Sequence, residues 1–339
     1  MKGRQVTIKD IARELGISPS TVSRALKDHP DISPETKKQV KELVEKLNYK
    51  PNPIALSLRS HKTNIIGVIV PEMVHHFFST VISGIEEKAI GVGYNVMIYQ
   101  SNEIYEREVL NAQAILSNRV DGVLVSISKT SMKFGHIREI LEHDIPVVFF
   151  DRAPEEIPAD KVVVDDFTGA MDAVEHLIKT GCRRIAHFAG PQHLQIGYQR
   201  QRGYISALEK NRLEVDYDLI VKCDTLEDAL IMTPGIMGLP DPPDAIFAVN
   251  DLTAAGALKV LKKLGLRVPE DISIIGFTDG LVAKVTDPPL TSVSQHGYEM
   301  GDLAAKILLG RIQNGMDLKN PMTEVIKTDL VLRESTRKI

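Results

Sequence analysis

Residues 7–26 of this 339-residue chain hold two short helical patterns joined at Gly16, and the second presents Ser20, Thr21, Ser23 and Arg24 on its outer side. Small hydroxyls and a guanidinium on a slim helix can meet base edges and phosphates in the major groove of duplex DNA. A second set of residues follows short apolar runs. Phe77 and Phe78 come after 65–70, Asp151 and Arg152 after 146–150, Asn250 and Asp251 after 245–249, Thr278 and Asp279 after 272–277, and Arg200 sits within 197–203. An aromatic platform with carboxylates, an amide and a guanidinium suits a polyhydroxylated sugar or a purine, which need a face to stack on and paired hydrogen bonds around it. Plain core packing accounts for Phe77 and Phe78 as well as stacking does, while Arg200 is the strongest single candidate, with a solvated helix arginine as its alternative.

Catalysis finds no support. The run 65–70 leads into Pro71-Glu72-Met73-Val74 rather than a glycine-rich phosphate loop, and neither a serine elbow nor a zinc-binding helix motif occurs. His75 and His76 are adjacent, so on a helix they diverge and do not share a metal; the ten histidines form no cluster. No cofactor and no metal is expected. Cys182 and Cys223 are too few for a disulfide framework and read as reduced, partly buried thiols.

The elements that must position these residues are legible locally. Thr7 with Asp10 three residues on resembles a capping box, and Ile8, Ile11, Ala12 and Leu15 recur at helical spacing. Gly16 can adopt the left-handed stop, Ser18 caps the next helix and Pro19 fits its first position. Val22, Ala25 and Leu26 face inward, and a third helix begins at Ser33-Pro34 with Val40, Leu43, Val44 and Leu47 as its stripe. From residue 62 the chain alternates Val/Ile-rich runs (65–70, 94–99, 121–127, 146–150, 184–188, 245–249, 272–277) with amphipathic helical stretches, the pattern of βαβ units and parallel sheets. Such sheets bind ligands beyond the carboxyl ends of their strands.

Charge divides the chain in the same way: residues 1–62 carry 13 Lys+Arg against 7 Asp+Glu, the remainder 28 against 38. The basic end is the expected DNA end. No apolar run is long enough to span a membrane and the first residues lack an apolar signal region, so a cytoplasmic protein is expected. A solute-binding protein without DNA function is the alternative class, which the missing signal region and the basic headpiece oppose.

Val6-Thr7-Ile8-Lys9-Asp10-Ile11-Ala12, Gly16-Ile17-Ser18, Thr21-Val22-Ser23-Arg24 and Leu47-Asn48-Tyr49-Lys50-Pro51-Asn52 resemble the lactose repressor (LacI) family of bacterial transcription regulators, and the resemblance extends over nearly the whole chain. It implies an all-α helix–turn–helix headpiece (1–51), a hinge helix and linker (52–61), and an α/β two-lobed core like that of periplasmic binding proteins (62–339). The implied DNA contacts are Thr7, Ser18, Pro19, Ser20, Thr21, Ser23 and Arg24 in the headpiece and Asn52, Ala55, Leu58 and Arg59 in the hinge, with Leu58 as a wedge that kinks the minor groove. Three crossings between lobes are expected near Asp165, Pro289 and Pro321, giving lobe 1 as 62–164 with 290–320 and lobe 2 as 165–289 with 321–339. The resemblance also implies a homodimer on a pseudo-palindromic operator, and with no heptad tail after Leu332, a dimer rather than a tetramer. The implied effector set is Phe77, Phe78, Asp151, Arg200, Asn250, Thr278, Asp279 and Gln295, for a sugar or sugar derivative, with a purine as the alternative. Thr278 departs from the family's sugar binders, which often carry a carboxylate there; a hydroxyl does not clamp two sugar hydroxyls in the same way.

Overall fold

A computed structural model describes residues 6–49, 62–315 and 320–338 and divides the chain into two compact units, Met1–Thr63 and Asn64–Ile339. In the first unit, helices α1 (Ile8–Glu14), α2 (Pro19–Leu26) and α3 (Pro34–Lys46) enclose Ile11, Ala12, Val22, Ala25, Val40 and Leu43. So small a core depends on its helix ends. The Thr7 amide and hydroxyl both donate to the Asp10 carboxylate, at 2.9 and 2.6 Å. Ser18 Oγ accepts from the Thr21 amide and Ser33 Oγ from the Thr36 amide, each with proline as the first helical residue. Gly16 turns between α1 and α2 with φ of +64°, a left-handed conformation that glycine adopts freely.

The second unit contains two six-stranded sheets. The first is built from β1 (Ile65–Val70), β2 (Asn95–Gln100), β3 (Gly122–Val125), β4 (Val147–Phe150), β5 (Asp160–Val164) and β11 (Thr323–Ile326), in the order β11-β5-β4-β3-β1-β2 and parallel throughout. The second contains β6 (Ile185–Ala189), β7 (Ile220–Lys222), β8 (Ala245–Ala248), β9 (Ser273–Thr278), β10 (Thr291–Ser294) and β12 (Asp329–Val331), in the order β12-β10-β9-β8-β6-β7, with only the β10–β12 pair antiparallel.

Alternation along the strands feeds two apolar layers per sheet. Ile66, Val68 and Val70 join α4 (His76–Ile90) and α12 (Gly297–Asn314), while Ile69 joins α5 (Tyr105–Asn118) and α6 (Gly135–Glu142). In the second sheet Ile246 and Ala248 meet α9 (Leu226–Met237) and α10 (Asp251–Lys263), and Phe247 meets α7 (Asp166–Lys179) and α8 (Gln195–Lys210). Burial on both faces is why these strands read as continuous Val/Ile runs. Among the described residues no helix is long and apolar enough to cross a membrane.

Two of the three crossings differ from the sequence expectation. The chain leaves the first sheet after Val164, but β10 belongs to the second sheet, with Thr291 beside Ile275 and Ser294 beside Thr278. The second crossing therefore falls at 295–296 rather than at Pro289. Likewise β11 follows Pro321 and pairs with β5, Thr323 beside Lys161, so the third crossing falls at 327–328. Lobe 1 thus comprises 64–164 and 296–327. Proline marks where a strand begins, whereas pairing with β9 or β5 decides which sheet receives it.

Helices α4 and α12 approach so closely that a Cβ on Gly301 would lie 2.0 Å from the Val81 carbonyl oxygen, and one on Gly84 2.2 Å from that of Tyr298. Backbone on both sides leaves no flexible side chain to yield. Gly301→Ala is expected to destabilise the second unit by about 1–3 kcal/mol or more, read from the midpoint of urea unfolding; a variant as stable as wild type would show that the helices separate at little cost.

Candidate nucleic-acid interface and ligand cleft

On α2 the cap and the outer face share residues. Ser18 Oγ lies 2.7 Å from Ser20 Oγ and 2.8 Å from Thr21 Oγ1. Pro19, Ser20 and Arg24 are exposed, Thr21 and Ser23 are half-buried, and Thr7 is exposed at the start of α1 with its hydroxyl spent on Asp10. One narrow face thus carries two hydroxyls and a guanidinium above Val22 and Ala25. Asn52, Ala55, Leu58 and Arg59 lie outside the described residues.

In the second unit a cavity of about 720 Å³ opens at the carboxyl ends of both sheets. Phe77, Phe78, Asp151, Arg200, Asn250, Thr278 and Gln295 line it. Asp279 does not: its carboxylate is paired with Arg333, and its amide donates to Ser292 Oγ at 3.0 Å. The left-handed backbone at Asp279, φ +57°, follows Thr278 at φ +123°, so the two consecutive side chains take different directions. Such a φ is rare for a β-branched residue and is held here by the Thr278 hydroxyl donating to Gln295 Oε1 at 2.9 Å.

Phe77 and Phe78 meet edge to face, 5.2 Å between centroids, and belong both to the core under β1 and to the cavity wall. Arg200 is no solvated arginine. Its guanidinium sits 3.7 Å over the Phe277 ring, donates from Nε to Asp166 Oδ1 at 2.7 Å, and from Nη1 to the Val249 carbonyl at 2.6 Å. Asn250 caps α10, accepting from the Thr253 amide at 2.9 Å, and donates to the Asp224 carbonyl at 2.9 Å, so it shapes the wall more than it offers hydrogen bonds. Gln295, at the second crossing, reaches Asp151 Oδ1 in the other lobe at 3.4 Å.

Several lining residues had drawn no notice in the sequence. Glu103, Lys129 and Asp224 follow β2, β3 and β7, and the strand-end rule that singled out Asp151 applies to them equally. Lys129 bridges the lobes: its Nζ is 3.3 Å from Asp224 Oδ2, and His193 Nε2 lies 2.7 Å from its carbonyl oxygen.

Two family models match the chain, bacterial regulatory proteins of the lacI family over residues 7–52 and a periplasmic binding protein-like domain over 174–336. The HTH-type transcriptional repressor CytR of Escherichia coli (strain K12) is 34% identical over 332 residues, covering 98% of this chain and 96% of that protein. The HTH-type transcriptional repressor PurR of Vibrio atlanticus (strain LGP32) is 35% identical over 314 residues, 91% of this chain and 92% of its own. The chain belongs to the lacI family of bacterial regulatory proteins. It is a DNA-binding transcription regulator with a ligand-binding domain, not an enzyme. Among solved structures, a transcriptional regulator CelR–cellobiose complex superimposes with TM-score 0.74 at 30% identity, covering 98% of this chain and all of that one. The lac repressor dimer bound to operator and the anti-inducer ONPF gives 0.85 at 24% identity over 99% of this chain and all of that one, a likeness of fold.

In this family member the cleft carboxylates are electrostatically unusual. Burial pushes Asp151 up to about 6, and the neighbouring Arg152 and Arg200 offset only part of that. Burial also raises Asp251 to about 7, although Ser292 Oγ donates to it at 2.5 Å and the Gly280 amide at 2.8 Å. Asp166 is raised by burial as well, with Arg200 opposing. An acid whose folded pKa lies above its unfolded value of about 4 favours folding least once it is ionised. Between pH 4 and 6 the unfolded chain releases this proton while the folded chain keeps it, so stability falls as pH rises through that window. Asp151→Asn is therefore expected to gain on the order of 1–3 kcal/mol over wild type at neutral pH, the gain vanishing near pH 4. Urea unfolding of both proteins at the two pH values checks this; a difference independent of pH would place Asp151 at its ordinary pKa.

Proposed function

We propose that this protein is a repressor that binds a pseudo-palindromic operator in double-stranded DNA as a homodimer, and that a small molecule in the cleft, a sugar or sugar derivative, controls its affinity. The observation that carries the effector reading is the cavity itself, which draws Phe77 and Phe78, Asp151, Gln295 and Arg200 from both lobes to one space of a size usual for small-molecule sites. A purine or nucleoside is the second reading, favoured by Thr278 in place of a sugar-clamping acid and by the likeness to PurR. Its place is the cytoplasm, where the DNA is.

In the headpiece, Ser20, Thr21 and Arg24 read base edges and phosphates, Pro19 and Ser23 flank them, and Thr7 and Ser18 hold the helix starts against the backbone. Asn52, Ala55, Leu58 and Arg59, which lie outside the described residues, complete the DNA contacts in this reading, with Leu58 as the minor-groove wedge. A second copy docks on the edge strand β2 and the turn that leads into it, where Ile98 on the strand and Ile90 and Val92 before it expose 37%, 66% and 52% of their surface. Ligand bound between the lobes then favours one of two lobe arrangements, and DNA affinity changes by the differential, commonly about 1–3 kcal/mol.

Arg24→Ala is expected to weaken operator binding by about 1–3 kcal/mol while sparing binding to random duplex, in fluorescence titrations at fixed salt. Equal loss on both would assign Arg24 to phosphate alone. Arg200→Lys keeps a cation against buried Asp166 but loses the planar fork. It should leave ligand-free operator affinity within a factor of about two and abolish the response to a metabolite extract; a retained response would move the effector site out of this cleft.

A further inference from the structure

Arg152 also lines the cleft, and its ion pair with Glu103 leaves part of its guanidinium unaccounted for. Its Nη1 donates to both oxygens of Glu103 at 2.8 Å, which cancels the charge, yet its Nε is buried with no hydrogen-bond partner and stands 3.8 Å from Asp151 Oδ2. Asp151 is equally under-used, with a side chain 5% exposed and a single contact at 3.4 Å from Gln295, longer than a good hydrogen bond. Two residues of the cavity wall thus hold a buried donor and a buried acceptor 3.8 Å apart, an ion pair too long for a hydrogen bond, with the guanidinium 5.9 Å from the centre of the Phe78 ring. Buried polar groups short of a hydrogen bond are costly, so a ligand hydroxyl that enters between these two satisfies both.

The remaining lysine and arginine side chains of the wall are compensated too. Lys129 faces Asp224 at 3.3 Å and Arg200 faces Asp166 at 2.7 Å. Each lysine and arginine among the described lining residues is thus paired with a carboxylate, and a phosphate or carboxylate placed at Arg152 meets Asp151 and Glu103 as like charges.

We propose that Glu103, Arg152 and Asp151 form a charge-compensated donor–acceptor subsite that makes the cleft select an uncharged effector offering a hydroxyl, or an amide-like edge, and reject phosphorylated and carboxylated molecules. A hydroxyl accepts from Arg152 Nε and donates to Asp151 at once, as does an amide edge; an anion only accepts. Arg152 and Glu103 are thereby specificity-determining residues. The proposal deepens the reading of the cleft as the effector site and rests on it.

Glucose 6-phosphate, inorganic phosphate and cellobiose are titrated calorimetrically into the full chain, its Glu103→Gln variant and the Glu103→Gln/Arg152→Gln pair. Wild type should show no saturable binding of either phosphate. Glu103→Gln, which leaves Arg152 uncancelled, should bind glucose 6-phosphate roughly tenfold or more tightly than wild type, and the added Arg152→Gln should remove that gain. Asp151→Asn makes the same change of charge and replaces Glu103→Gln if the latter melts early. Saturable phosphate binding by wild type, or no gain in either charge variant, overturns the proposal. Failure of the effector reading has a separate signature, a metabolite response that survives Arg200→Lys, and the phosphate titrations do not depend on it.

Discussion

Two mainly parallel sheets end at the same cavity, and the chain crosses between them three times, after β5, after β10 and after β11, with β5 and β10 each one strand in from the edges formed by β11 and β12. This covalent tie sets what the cleft can do. Residues after β1, β4, β6, β8 and β9 must face the gap, because the carboxyl ends of parallel strands are where loops leave and where amides and side chains stay free. Gln295 sits on a crossing and touches Asp151 in lobe 1 and Thr278 in lobe 2. It therefore registers the lobe arrangement directly.

Burial of charge is the second governing fact. Ionised groups survive in the cleft only when paired or richly hydrogen-bonded. Arg200 with Asp166, Arg152 with Glu103 and Lys129 with Asp224 satisfy this by pairing, whereas Asp251 accepts from Ser292 Oγ and the Gly280 amide and is still raised by burial to about 7. Asp251 thus pins the floor of the cleft and is not free to meet a ligand: a Cβ on Gly276 would come within 2.3 Å of its Oδ1. Asp151 is buried with a single long side-chain hydrogen bond, and burial raises it as it raises Asp166 and Asp251.

The DNA-reading unit obeys a different economy. A core of six buried side chains stabilises little, so the capped helix starts at Thr7, Ser18 and Ser33 contribute a large share of its order. The capping Ser18 hydroxyl is a direct neighbour of the Ser20 and Thr21 hydroxyls, so serine and threonine crowd the start of α2.

Much of this was legible in the amino-acid order. Proline after a capping serine, glycine at a left-handed turn and helical apolar spacing are local properties, so the three headpiece helices could be read before any tertiary contact was known. The Val/Ile runs identified seven strands of parallel sheets because burial on both faces leaves a continuous apolar signal. The short strands β10, β11 and β12, the last two at sheet edges, carry little such signal. Their sheet membership, and with it the second and third crossings, depends on which partner they pair with far away in sequence. The direction of each strand-end side chain was decided in the same way: Asp151 and Asp279 look alike in sequence, yet one is left facing the cavity and the other is claimed by Arg333. Local sequence determines a residue's own backbone preference, whereas the partner that meets its side chain comes from elsewhere in the chain, and only the tertiary structure brings it there.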